Sequence, residues 1–353
     1  MQSDSQVLIL GGGIAGLTAA LSLSHLNIRS IIVEQSTQLG GFAAQYTCKA
    51  TEACVKCGAC IVSEKIRRVV EDPRIEVFTD SRIVRVDKSD NFQAVIVKTS
   101  STGKPREINC AARAVIIAAG FQPFDPQRMH YGYKKFPNVV TNLDLERMMR
   151  RSSVPERPSD GRAPGRMAFV QCVGSRDAKL GHLWCSRVCC ASALRMARLI
   201  KMRRPQTEMT FFYIDVQTFG KTFQRFYDDV KNEIVMIRAI PGDVYRTPED
   251  RLKVVFYDAG AAESRESLFD MLVLSVGITP AAKNTGMAAM FDLTTDESGF
   301  LATASYENGA TGCGVYTAGA VSGPMSIAES MASADQAALS AAVFLGTAVK
   351  RQR

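Results

Sequence analysis

The sequence predicts a doubly wound α/β fold of two dinucleotide-binding (Rossmann-like) units, the second inserted into the first. Three observations predict it. Residues 7–16, Val-Leu-Ile-Leu-Gly-Gly-Gly-Ile-Ala-Gly, read as a buried strand, a glycine turn and the start of a helix. A second strand-turn-helix unit opens at Met167, with Cys172, Cys185, Cys189 and Cys190 where a second glycine fingerprint would stand. Two short apolar runs, 114–118 and 314–318, supply further parallel strands.

Taken in order, residues 7–10 form a strand, the turn opens a helix to about residue 25, and 30–34 is the next parallel strand. A helix is expected at 64–71, followed by antiparallel strands at 75–86 and 92–99. The proline- and glycine-rich stretch 150–165 marks a linker or a domain crossing. A second βαβ unit then has a strand at 168–171, a helix at 190–202 and a strand at 209–214. Strands at 233–237, 252–257 and 271–275 and a long small-residue helix at 325–345 complete the reading.

With 353 residues, 46% hydrophobic and 22% charged, the chain is long enough for two cores and ordinary for a globular protein. The longest apolar stretches fall short of a bilayer span, so no membrane span is expected. The opening Met1-Gln-Ser-Asp-Ser has neither a basic nor an apolar leader segment, and a cytoplasmic location is expected. In a reducing compartment ten cysteines argue for metal or redox chemistry rather than disulfides. The net charge of +8 rests on scattered basic runs at 150–151, 201–204 and 350–353, which read as solvated faces and a tail. No nucleic-acid motif or aromatic-basic interleaving accompanies them.

Gly11, Gly13 and Gly16 have distinct tasks in a dinucleotide fingerprint: a tight turn, close approach of backbone to a pyrophosphate, and close helix–strand packing. Gly12, Ile14 and Ala15 complete the loop that offers helix N–H groups to phosphate. Glu34, ending the next strand, suits ribose hydroxyls and would repel a 2′-phosphate. Ala119-Gly120, Gly319-Ala320 and the Gly40-Gly41 pair are expected around the same ligand. Residues 115–120 and 314–320 resemble the flavin-covering segments of thioredoxin reductase-like flavoproteins, which implies FAD. Where those proteins commonly have Gly-Asp, this chain has Gly319-Ala320. The expected division is an FAD-binding domain at 1–150 and 281–353, and an inserted domain at 165–280.

Cys172-x12-Cys185-x3-Cys189-Cys190 lies at the carboxyl end of one strand, the crevice where α/β proteins bind ligands. Four soft thiolates suit an iron–sulfur cluster or zinc, although buried cysteines are also common in cores. Gln171-Cys-Val-Gly-Ser-Arg-Asp177 and Trp184-Cys-Ser-Arg-Val-Cys-Cys190 resemble the signature of the heterodisulfide reductase A-type polypeptide, and nearly the whole chain is similar to the flavin core of that polypeptide. The resemblance implies a [4Fe–4S] cluster on these four cysteines, with His182 a bystander. It is strongest to the A-like component of the sulfur-oxidising heterodisulfide reductase-like complex. That implies B- and C-like partner subunits, a lipoate-binding carrier protein, and a homodimer within the assembly. A second group, Cys48-x5-Cys54-x2-Cys57-x2-Cys60, has metal-ligand spacing and is expected to hold a second cluster or to act as a redox dithiol. In the dithiol reading the chain is a pyridine nucleotide–disulfide reductase. Cys110 and Cys313 are expected to have no role.

Overall fold

Residues 7–33 set the pattern of the fold. Two strands buried over all four residues flank a helix rich in alanine and leucine, so both sheet faces must be covered. The computed structural model describes residues 7–88, 91–99, 105–217, 223–302 and 314–346. The chain forms β1 (Val7–Leu10), α1 (Ile14–His25), β2 (Ser30–Val33), α2 (Ile61–Glu71), β3 (Ile75–Phe78), β4 (Ser81–Asp87), β5 (Phe92–Lys98), β6 (Arg106–Ala112) and β7 (Ala114–Ile117). It continues through β8 (Gln122–Pro123), β9 (Val139–Thr141), α3 (Asn142–Arg151), β10 (Arg166–Val173), α4 (Cys189–Arg203), β11 (Glu208–Phe212), α5 (Phe223–Val230) and β12 (Val235–Ile237). Then come β13 (Asp243–Arg246), β14 (Leu252–Asp258), β15 (Glu263–Phe269), β16 (Met271–Val276), β17 (Ile278–Thr279), α6 (Asn284–Phe291), β18 (Val315–Thr317) and α7 (Ile327–Phe344).

The chain divides into two units. The first takes residues up to 44, 58–122 and 279 onward; the second takes 45–57 and 123–278. In the first, five parallel strands run in the order β18-β7-β1-β2-β3, and β4-β5-β6 form a separate antiparallel sheet. Leu8, Leu10, Ile31 and Val33 on one face of the parallel sheet share a core with Phe92, Ala94 and Ile96 of β5.

The second unit repeats the plan. Its parallel sheet has the order β12-β11-β10-β16-β9, and β13-β14-β15 form its antiparallel sheet. Phe169, Phe211 and Val273 face a core with Leu194, Ala197 and Ile200 of α4. Their neighbours Ala168, Val170, Phe212, Leu272 and Leu274 face the opposite core with Val254, Phe256 and Phe269. The strict alternation is the two-residue period of a strand buried on both faces. A capping box between Thr141 and Asp144 starts α3, and Arg150 and Arg151 lie in its last turn, where cations oppose the helix dipole.

Three expectations differ from this picture. The strand drawn at 75–86 is two strands, because Asp80 (φ +50°) turns the chain between the parallel sheet and the antiparallel one. The crossing lies at residues 122–123, not in the proline-rich 150–165 stretch, since β9 and α3 belong to the second unit. Residues 45–57, expected in the first domain, also fall in the second unit. No helix among the described residues is long and apolar enough to cross a membrane.

Candidate functional site

In the first unit the three glycines of the turn between β1 and α1 meet three different surroundings. Gly11 has φ +111°, and a side chain there would strike the carbonyl of Ala118. A side chain at Gly16 would strike the Gly11 carbonyl, so only glycine lets α1 lie this close to the turn. At Gly13, by contrast, a Cβ would meet nothing within 4 Å. The space over Gly13, at the N-terminal cap of α1, is open, as the approach of a pyrophosphate to the backbone would require.

Glu34 is buried and closes this turn. Its Oε2 accepts from the Gly12 N–H (2.6 Å), and its Oε1 accepts from the N–H and the hydroxyl of Ser36 (2.8 and 2.7 Å). Each carboxylate oxygen has two lone pairs; Oε1 uses both on Ser36, and Oε2 retains one that could accept from a ribose hydroxyl. Gly40 (φ +103°) donates its N–H to the Gly12 carbonyl at 2.7 Å, and a side chain on Gly41 (φ +56°) would point at the Gly13 Cα. Gly120 (φ +70°) next to the half-buried Ala119 opens onto free space. Gly319 (φ +72°) lies against Ala15 and donates to Ser333 Oγ at 3.1 Å, with buried Ala320 beside it. The capping box at the start of α7 occupies the N–H groups of Ser326 and Glu329. Every expected cradle residue thus lies in the first unit.

In the second unit Cys172, Cys185, Cys189 and Cys190 line one small cleft, with Ser175, Arg176, Ser186, Arg187, Asp215 and Gln217. The register of β10 against β16 shifts between Val170 and Val173, and Cys172 takes φ +60°; this irregularity re-aims the side chain at the end of the strand. Cys189 and Cys190 are the first residues of α4. The loop between is fixed at several points. Ser186 Oγ accepts from the Ile278 N–H (2.8 Å), Trp184 Nε1 donates to the Ile278 carbonyl (2.9 Å), and the Arg176 N–H donates to the Trp184 carbonyl (3.1 Å).

Burial pushes the Cys189 thiol well above its ordinary range, Cys190 to about 11, and Cys172 upward; repulsion among the four sulfurs adds to each. These raised values favour the neutral thiols of Cys172, Cys189 and Cys190, and only a bound cation would hold the sulfurs as thiolates. Among the described residues no group of three or more His, Cys, Asp or Glu has the geometry to hold a metal ion. In a cubane each thiolate binds its own iron, so its ligands stand farther apart than those around one tetrahedral ion. His182 does not line the cleft; its Nδ1 lies 2.9 Å from the Gly174 carbonyl and its ring packs against Phe124 and Trp184.

Of the second cysteine group, Cys48 and Cys54 are exposed, Cys57 is half-buried within electrostatic reach of Arg195, and Cys60 is exposed at the N-cap of α2. The segment that carries Cys48 is held to α3 by a buried ion pair, Lys49 Nζ to Glu146 Oε1 at 2.6 Å, while the Thr47 N–H donates to Glu146 Oε2 at 2.9 Å. Cys110 is buried in β6, and burial raises its thiol to about 11. Cys313 lies outside the described residues. Sequence reasoning missed Ser36, Arg176, Asp215 and the Lys49–Glu146 pair. A symmetric reading would have found one of them, because Asp215 follows β11 much as Glu34 follows β2.

The fold is that of thioredoxin reductase-like flavoproteins. The Lactococcus lactis thioredoxin reductase superposes with a TM-score of 0.63 at 16% identity, covering 98% of this chain and 100% of that one. The T. acidophilum thioredoxin reductase gives 0.61 at 15%, covering 96% and 97%. Residues 5–161 match the family described as Pyridine nucleotide-disulphide oxidoreductase. The chain is similar over nearly its whole length to the A-type polypeptides of heterodisulfide reductases. It is 30% identical to the A-type polypeptide of the H(2):CoB-CoM heterodisulfide,ferredoxin reductase of Methanothermobacter marburgensis, over 96% of this chain and 64% of that one. It is 29% identical, with the same coverage, to the A-type iron-sulfur polypeptide of the CoB–CoM heterodisulfide reductase of Methanocaldococcus jannaschii. The chain therefore spans 64% of the length of these curated relatives, both of them components of oxidoreductases.

Proposed function

We propose that this chain is an electron-transfer subunit that holds FAD in its first unit and a [4Fe–4S] cluster on Cys172, Cys185, Cys189 and Cys190 in its second. The observation that carries this is the pairing of one complete glycine cradle with one cysteine-lined cleft at the matching place in the repeated plan. When bound, a flavin accepts or gives two electrons and can do so singly, which suits exchange with a one-electron cluster. The chain's own contribution is positional. Gly13 leaves room for the pyrophosphate, the first turn of α1 offers N–H groups to it, and Glu34 fixes the turn and accepts from the ribose. Gly40, Gly41, Ala119, Gly120, Gly319 and Ala320 border the same ligand. In the second unit the start of α4 holds Cys189 and Cys190, and the re-aimed Cys172 and Cys185 complete the set.

The relatives' names, each an A subunit of a heterodisulfide reductase, support membership of such an assembly; B- and C-like subunits would be the partners and would carry the substrate disulfide chemistry. The finer reading is a homodimer within that assembly, cytoplasmic, serving sulfur oxidation with a lipoate-binding carrier protein. Cys48, Cys54, Cys57 and Cys60 would hold a second cluster. A rival reading makes Cys54/Cys57 or Cys57/Cys60 the dithiol of a nicotinamide-dependent reductase. The loop after β10 disfavours it, because that loop carries cysteines and a long detour where a nicotinamide cradle would need an open glycine turn.

Anaerobic purification followed by iron, acid-labile sulfide and flavin analysis tests the proposal. One FAD and about four irons per chain are expected for a single cubane; about eight would indicate a second one. Absence of iron together with rapid bleaching of the flavin by NAD(P)H would establish the rival.

A further inference from the structure

The cleft that holds the four cysteines also holds an ion pair that the proposed function does not use. Arg176 lies four residues beyond Cys172 in a left-handed conformation (φ +57°), which no glycine relieves. Its guanidinium makes a forked bond to Asp215, Nη1 to Oδ1 at 2.6 Å and Nη2 to Oδ2 at 2.9 Å. Gln217 Nε2 donates to the same Oδ1 at 2.9 Å, so the carboxylate is held from two sides. The Arg176 guanidinium is also within electrostatic reach of the Cys172 sulfur. Arg176, Asp215 and Gln217 all line the cleft with the four sulfurs. A left-handed non-glycine residue costs backbone free energy, and such strain collects where a side chain must be aimed.

Resting on the cluster reading above, we infer that Arg176 and Asp215 form a positioning pair that sets the reduction potential of the cluster bound by Cys172, Cys185, Cys189 and Cys190. Reduction adds one electron and moves no proton, so the site gains one unit of negative charge. Arg176 offsets that charge as a cation lining the same pocket as the ligand sulfurs. Asp215 acts in the opposite sense as an anion at the same site, while it keeps the guanidinium aimed. Cluster potentials respond to net charge and to hydrogen bonds at sulfur, and partners outside the ligand set tune them.

Two variants separate this role from a merely structural one, because their effects have opposite signs. In dithionite titrations of the anaerobically purified full chain, followed by low-temperature electron paramagnetic resonance, Arg176→Met should lower the cluster midpoint. The expected change is about tenfold in the reduction equilibrium, which is 59 mV for one electron. Asp215→Asn should raise the midpoint, and the flavin midpoint should stay unchanged in both. If Arg176→Met fails to load the cluster, Asp215→Asn decides: an unshifted or lowered midpoint overturns the inference. Equal shifts of flavin and cluster in either variant also overturn it. A wild-type protein without iron refutes the cluster reading itself, a result that iron analysis distinguishes before any titration begins.

Discussion

After β1 the chain enters α1 across residues 11–13, and after β10 it enters α4 only across residues 174–188. The two turns occupy the same place in two copies of one plan, each a five-stranded parallel sheet with a three-stranded antiparallel companion. In the first the acid after the second strand, Glu34, accepts a backbone N–H of the glycine turn. In the second the acid in that region, Asp215, takes the Arg176 guanidinium. On the proposed reading, the difference teaches that ligand class is written into the connection and not into the sheet. A short glycine turn presents helix N–H groups to an anion, whereas a long loop brings side-chain sulfurs to the same edge.

The largest test of this contrast is reciprocal substitution. Cys189→Ala should abolish the cluster's paramagnetic signal and leave FAD content unchanged, while Gly13→Val should abolish FAD binding and leave iron content unchanged. Gly13→Val should also fold normally without flavin, since nothing lies within 4 Å of the added Cβ. Loss of both groups from either variant would show that the two turns are not independent.

Next in size is the anchor of residues 45–57. Glu146→Gln leaves the Lys49 ammonium buried without its partner and should cost about 3–5 kcal/mol in chemical denaturation. Replacing both by apolar residues should recover much of that loss. Gly16→Ala should cost about 3 kcal/mol, because the added methyl meets the Gly11 backbone and not a yielding side chain.

The smallest effect is acid sensitivity in the second unit. Hydrogen bonds from Ser159, Arg246 and Arg157 hold the Asp250 carboxyl at about 2, below its ordinary value. Its contribution is therefore full above about pH 4 and is lost as the pH falls through about 2. Asp250→Asn should destabilise the chain by about 1 kcal/mol at neutral pH, after allowance for solvent screening. The gap from wild type should close over that acid window. A gap that is constant with pH would assign the loss to packing.

The parallel strands and the glycine turn were legible because each has a strong local signal: short apolar runs buried on both faces, and glycines at positions with distinct steric demands. β6, β13 and β15 were not, since Arg106–Ala112, Asp243–Arg246 and Glu263–Phe269 carry charged and polar residues without a regular apolar alternation or a continuous apolar run, and resemble loops. The proline-rich stretch at 150–165 misled because proline marks a change of local conformation, not a change of domain. Lys49 with Glu146, and Arg176 with Asp215, join residues far apart in sequence, and no periodicity connects them. The four cleft cysteines were named from a resemblance; their spacing alone leaves a core pair equally open.

Because residues 45–57 belong with the second unit, that unit is not one continuous stretch of chain. Excising 123–278 as a fragment would strand the Glu146 carboxylate in an interior that its cation no longer reaches, and would discard Cys48, Cys54 and Cys57 as well. Dissection by deletion is thus a poor experimental route for this molecule. Its two halves are better told apart by point changes within the intact polypeptide.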